Sequence, residues 1–145
     1  CPKTTSEVVD RALADAERLI NSRGGAVSAV DRAHTAFHGY LRDICKDASI
    51  PFAEDAGITA LFGLIRQQHA AFIGTTSSGE PVHKLLRPMA SIIDALDPVR
   101  NQRSMAHPNP VLLDEPEAML TVNAIRTLLH YINSKLQGQR SSLPF

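Results

Sequence analysis

Residues 26–47 read AVSAVDRAHTAFHGYLRDICKD, and the spacing of their apolar side chains decides the fold class. Val27, Val30, His34, Phe37, Leu41 and Ile44 recur every three or four positions. That interval gathers side chains on one face of an α-helix, whereas a half-buried strand would alternate strictly between apolar and polar. The near-heptad stripe contains no proline, so it predicts one long helix from about Ala26 to Asp47, packed along much of its length.

The same period spreads outward in both directions. Toward the amino end, Thr5 or Ser6 can cap a helix carrying Val9, Leu13, Ala16 and Ile20, with Gly24-Gly25 expected to end it. Toward the carboxyl end, residues 48–55 form a loop around Pro51, and a third helix carries Ile58, Leu61, Phe62, Ile65 and Phe72. Residues 74–79, GTTSSG, have the composition of a flexible surface loop. A helix from about Pro81 then turns Val82, Leu85, Leu86, Met89, Ile92, Ile93 and Leu96 inward. Pro88 falls inside that pattern and predicts a kink there or two abutting helices. Pro98 adds a second irregularity, and Pro108 and Pro110 stop helical structure, leaving His107 at a helix end or just beyond it. The last helix opens with Asp114 as cap, Pro116 in its first turn and Glu117 completing a capping box. It buries Val122, Ile125, Leu129, Ile132 and Leu136 and is expected to end at Gly138, with 139–145 as a flexible tail. The expected fold is all-α: a bundle of about five helices with a kinked helix before the motif loop, one domain over residues 1–145.

Fifteen basic and fifteen acidic residues give a formal charge of zero, so a generic duplex binder is disfavoured and any nucleic-acid role must rest on a local patch. Lys84, Arg87, Arg100 and Arg103 supply one, opposed between residues 83 and 107 by Asp94 and Asp97. Taken alone, that patch reads as a solvated helix face. Cys1 and Cys45 have no metal or redox spacing and are expected to be reduced thiols in a cytoplasmic protein. No apolar run approaches a bilayer span and no secretory leader opens the chain. The chain starts on Cys1 rather than methionine, which leaves room for a domain upstream.

The chemistry concentrates in residues 100–107, Arg100-Asn101-Gln102-Arg103-Ser104-Met105-Ala106-His107. Arginine is permanently charged and presents a planar fork to phosphate oxygens, while histidine takes or gives a proton near neutral pH. Together they suit cleavage of a phosphodiester, RNA above all, because its 2′-hydroxyl supplies the nucleophile. His107 is the natural base. Arg100 would steady charge on the phosphorane, and Asn101 would hold the phosphate or fix the imidazole tautomer. On an uninterrupted helix the two ends of the motif share a face, about 10.5 Å apart along the axis. On spacing alone, an arginine and a histidine near a helix end more often serve as C-terminal charge partners. Arg103 is either a phosphate contact or solvent-exposed. His34 and His38, four apart, have a metal-ligand spacing but no third ligand nearby, and read as core or boundary histidines. His69, His83 and His130 have no clear partner in the sequence.

Arg100-Asn101 and His107 resemble the signature of the HEPN superfamily (higher eukaryotes and prokaryotes nucleotide-binding): an arginine, often followed by a polar residue, then four to six residues and a histidine. Ala106-His107 and the run from Glu117 to Ala124 resemble, more closely, the carboxy-terminal domain of abortive-infection proteins; Gly25 to Val30 and the long helix after it fit too. Glycine is common in that pattern four residues after the arginine and again after the histidine, where this chain has Ser104 and Pro108. Both bear on how the loop presents His107. The resemblance implies a metal-independent endoribonuclease without cofactor, of a phage-defence or toxin–antitoxin system. It further implies a two-fold dimer whose motifs face each other, with Arg100, Asn101 and His107 catalytic; Arg103, Lys84 and Arg87 of the basic patch would then contact RNA. A cognate antitoxin or an upstream sensor domain would be its partner. The leaving-group acid is unassigned, the second protomer's His107 being one candidate. The alternative is a catalytically silent helical dimerisation or RNA-binding module that keeps the fold.

Overall fold

The computed structural model describes residues 4–22, 25–73, 79–95 and 115–141. They form five helices: α1 (Ser6–Ile20), α2 (Ala26–Asp47), α3 (Ile58–Gln68), α4 (Gly79–Ala95) and α5 (Glu115–Ser141), with no strand among the described residues. The all-α expectation is met. Successive helices from α1 to α4 pack where the connections are short, except that α3 and α4 are joined through residues outside the description. α5 closes the ring by packing on α4 and α1, and it also crosses the interior to meet α2.

Among the described residues, α2 and α5 each contribute more buried side chains than any other helix. From α2, Ala29, Val30, Ala33, Phe37, Leu41 and Cys45 are fully buried; from α5, Ala118, Val122, Ile125, Leu128, Leu129 and Ile132 are. Val27, assigned to the inward stripe by its spacing, is instead 42% exposed at the first turn of α2. Val9, Leu13, Ala16 and Ile20 of α1 are buried as their spacing predicts. So are Ile58, Leu61, Phe62 and Ile65 of α3.

Several ends differ from expectation for definable reasons. Thr5 caps α1, its hydroxyl accepting from the Val8 N–H. α1 ends at Ile20, with Ser22 Oγ bonded to the Leu19 carbonyl. Gly25 does not stop α1 but caps α2, and the chain folds back so closely that a Cβ there would lie 1.8 Å from the Leu19 oxygen. Only glycine fits that return. α2 closes in a Schellman arrangement: Ile50 N–H donates to the Cys45 carbonyl and Ser49 N–H to that of Lys46. Ser49 takes the left-handed conformation, φ 57°, that glycine usually fills. Phe72, expected on α3, lies beyond its end in the turn after His69, where it is buried.

Pro88 sits inside one continuous α4, which rules out two abutting helices; it faces solvent, where a carbonyl freed by the missing N–H can bond water. Gly138 does not end α5, which runs on to Ser141. Of the surface loop expected over 74–79, Gly79 is instead the first residue of α4, and 74–78, the Asp114 cap, Pro98, Pro108 and Pro110 lie outside the described residues. No helix among the described residues is long and apolar enough to cross a membrane.

Candidate functional site at the α3–α4 junction

Arg100, Asn101, Arg103 and His107 lie outside the described residues, in the connection between α4 and α5. What surrounds that connection is described. Arg100 follows the end of α4 by five residues, and α5 begins eight residues after His107. Because α4 and α5 pack together, both ends of the motif segment are held by the same bundle.

Lys84 and Arg87 stand one turn apart on α4, both exposed, with Pro88 and Ser91 on the same outer side. Ser91 Oγ donates back to the Arg87 carbonyl. On the opposite side Leu86, Ala90 and Ile93 are buried. The cationic pair therefore projects away from the core.

Asp94 does not oppose that basic face. It turns inward, with its side chain 13% exposed, and reaches the first turn of α3. Its Oδ1 accepts from the Ile58 N–H at 3.0 Å and its Oδ2 from the Thr59 N–H at 2.8 Å. α3 needs this partner. Its own N-cap residue is Gly57, which has no side chain to offer, so two amides of the helix start would otherwise lack an acceptor. A carboxylate from α4 caps α3 instead and meets the positive end of its dipole. The approach is tight: a Cβ at Gly57 would stand 3.2 Å from Asp94 Oδ1.

From the third side comes α2. His34 Nε2 lies 3.9 Å from Asp94 Oδ1, and the His34 ring stacks on that of His38 with centroids 6.2 Å apart. His38 Nε2 donates to the Ala56 carbonyl at 2.7 Å, in the loop that leads into α3. The two histidines thus sit at a helix boundary and brace the junction. Burial pushes the Asp94 carboxyl up, but hydrogen bonds from His34, Thr59 and the Ile58 N–H outweigh it and hold Asp94 well below the usual carboxylate range. The charge is kept where three elements meet.

Sequence reasoning treated Asp94 only as a charge diluting the basic patch. Two signals could have found it. It lies one residue past Ile93 and four past Ala90, at the margin of the buried stripe, and α3 begins after a glycine unable to cap it. No group of three His, Cys, Asp or Glu arranged to hold a metal ion occurs among the described residues.

His69 caps the end of α3 and its Nδ1 accepts from the Ala71 N–H at 3.0 Å, which puts the proton on Nε2; burial lowers its pKa. It meets Phe72 edge-on, Phe72 meets Tyr131, and Lys135 lies over the Tyr131 ring. Tyr40 is buried on α2, and burial together with the charge of Asp10 pushes its pKa up to about 12. Cys45 is a free, buried thiol whose pKa burial raises, so it packs and does not act as a nucleophile.

Comparison with known proteins adds one finding. The family model described as Abi_C, a HEPN-like domain, matches residues 7–136, which reaches into all five helices and covers the whole Arg100–His107 segment. No match was found among curated proteins or among solved structures. With nine-tenths of its length matched, the chain belongs to the Abi_C family of HEPN-like domains.

Proposed function

We propose that this chain is a metal-independent endoribonuclease of an abortive-infection or toxin–antitoxin system. One observation carries the reading: Arg100-Asn101 and His107 occupy the α4–α5 connection of a HEPN-like domain. In the reaction, His107 takes the proton of the RNA 2′-hydroxyl, whose oxygen attacks the adjacent phosphorus. The bond to the 5′-oxygen breaks, that oxygen takes up a proton, and a 2′,3′-cyclic phosphate remains. Arg100 neutralises the non-bridging oxygens as charge builds on them. Asn101 holds the phosphate or the imidazole. Arg103, together with Lys84 and Arg87 on the outer side of α4, contacts the RNA backbone, supported by the exposure of the last two.

Two copies would bring two motifs into one cleft and allow the second His107 to serve as the leaving-group acid. A sensor domain or a cognate antitoxin is the partner such an effector needs.

The test is cleavage of mixed cellular RNA in excess EDTA, wild type beside His107→Ala and Arg100→Ala. Removing the base should slow cleavage by about 100- to 10,000-fold. Removing the arginine should slow it about 100- to 1,000-fold, both with unchanged helicity. Products of the wild type should end in 2′,3′-cyclic phosphate. Ser104 and Pro108, where the family pattern favours glycine, support a second reading as a silent dimerisation or RNA-binding module. A folded wild type that binds RNA without cutting it would establish that reading instead.

A further inference from the structure

Charge is divided unevenly along the chain although its total is zero. Residues 1–55 carry seven basic and nine acidic side chains. Residues 56–93 and 118–145 together carry six basic ones, Arg66, Lys84, Arg87, Arg126, Lys135 and Arg140, against a single acid, Glu80. α3, and α5 beyond Glu117, contain no acid at all.

The two edges of α5 differ as well. Arg126 and His130 turn to α1, where Glu17 and Asp10 meet them. Lys135 follows Arg126 by nine residues, about two and a half turns, and so lies on the opposite side of the helix. There its Nζ stands 5.9 Å from the centre of the Tyr131 ring, one turn back. Tyr131 is braced from beneath: Phe72, buried in the turn after α3, meets its ring at 6.1 Å, and His69 meets Phe72 edge-on at 6.2 Å. Tyr131 itself is half-buried, and burial raises its pKa, so the phenol stays uncharged. In the same turn Ile73 is 58% exposed, and Gln67 and Gln68 are exposed at the end of α3.

We propose that this surface, where the turn after α3 meets the C-terminal half of α5, binds single-stranded RNA, with Tyr131 stacking on a base and Lys135 pairing with the adjoining phosphate. The choice of polymer rests on the RNA reading above, but cleavage is not required. A single strand presents bases and phosphates in turn, which suits a fixed ring with a cation one turn away, whereas a duplex keeps its bases stacked inside. In the free protein the ammonium covers the ring as a cation–π pair. A base takes its place, and the flexible four-carbon stem lets the charge swing to the phosphate. A lipid surface would instead call for clustered cations beside a broad apolar face.

The contrary account is that Tyr131 and Lys135, four residues apart, are an ordinary helix-surface pair that only steadies α5. Binding separates the two. The probe is a 2′-O-methyl oligonucleotide of mixed, non-pairing sequence, which has no 2′-hydroxyl to attack and survives any nuclease activity. The chain has two tyrosines and no tryptophan, and Tyr40 is buried, so tyrosine emission quenched by the strand reports Tyr131. Tyr131→Ala should weaken binding about 5- to 100-fold, the cost of one stacked base, while Tyr131→Phe stays within about two-fold of wild type. Lys135→Gln should lower the slope of log affinity against log salt by about 0.7, one phosphate on a single strand. Arg126→Gln, on the other edge, should leave that slope unchanged.

Wild-type affinity in Tyr131→Ala overturns the proposal, as does an unchanged salt slope in Lys135→Gln or emission that the strand does not alter. If Tyr131→Ala does not fold, the emission and the Lys135→Gln slope decide alone. Displacement of the strand by phosphatidylserine vesicles or polyglutamate at matched charge also overturns it, since the surface then answers to charge without regard to bases. A wild type that binds as stated but does not cut unmodified RNA removes the nuclease reading and keeps this site. One that cuts RNA while both variants bind normally removes this site and keeps the nuclease.

Discussion

The α2–α5 pair and the α3–α4 junction are held by different physics. α2 and α5 pack on each other, and both bring fully buried apolar side chains to the core, Phe37 and Leu41 from α2 and Ile125, Leu128, Leu129 and Ile132 from α5. Such a surface is strong and nearly indifferent to pH or to the exact geometry of any one atom. α3 and α4 also pack together and both carry buried aliphatic side chains, but here a carboxylate, Asp94, ties the end of one helix to the start of the other. The first region contributes a large share of the buried apolar surface. The second supplies a fixed relationship between two helices, at the end of the bundle where the motif segment begins. A domain of this kind can change its loop chemistry without disturbing its centre.

The sharpest way to break the central region is Phe37→Ala. The ring is fully buried and stacks near Tyr40, at 6.3 Å between centroids, so its loss leaves a cavity between α2 and its neighbours. We expect a loss of about 3–5 kcal/mol in denaturant unfolding, the same at pH 5 and pH 8. A loss under about 1 kcal/mol would mean that the α2–α5 centre is not as close-packed as described.

The junction should behave otherwise. Asp94→Asn is expected to cost about 2 kcal/mol at neutral pH, the scale of hydrogen bonds to a charged group. Its cost should depend on pH with a definite sign. Asp94 has its pKa lowered in the fold, so its contribution is complete above the unfolded-state value of about 3.9 and is lost as pH falls through the folded value. The gap between wild type and Asp94→Asn should be constant from pH 8 to pH 5 and close progressively below pH 4. A gap that stays open in acid would show that the two amides, and not the charge, carry the effect.

The contrast also explains what could be read from the amino-acid sequence. Apolar periodicity is a one-dimensional trace of a face, so the all-α class and most of the stripes of α1, α2, α3 and α5 were legible, though Leu136 is only partly buried and Phe72 lies beyond α3. The exceptions were local. Val27 falls in phase with its stripe but sits in the first turn, beyond the reach of a neighbour. Gly138 carries a helix-stop signal that the continuing helix overrides. The Arg100–His107 motif was legible as a motif, and its residues belong to the connection whose two anchors, α4 and α5, are described. The junction was not legible, because Asp94 and Ile58 are 36 positions apart and a carboxylate at the margin of a stripe looks like any solvated charge. Only the pairing of an uncapped helix start with that carboxylate reveals its role, and pairing is a property of three dimensions.

Ser49 lies where the chain passes from one region to the other, closing α2 before the loop that leads to Gly57 and α3. Its φ of 57° places an L-residue in the left-handed region, at a cost of roughly 1–2 kcal/mol that the two Schellman hydrogen bonds and the buried Ile50 side chain offset. Glycine has no such penalty but gains freedom in the unfolded chain, worth about 0.5–1 kcal/mol against it. The difference favours Ser49→Gly by about 0.5 kcal/mol, seen as a higher denaturant midpoint with an unchanged slope. Since neither Asp94 nor its partners are touched, the gain should be the same at pH 7 and pH 4. An increment that fades in acid would tie the end of α2 to the junction through His38 and Ala56, and the two regions would then be one cooperative unit instead of two.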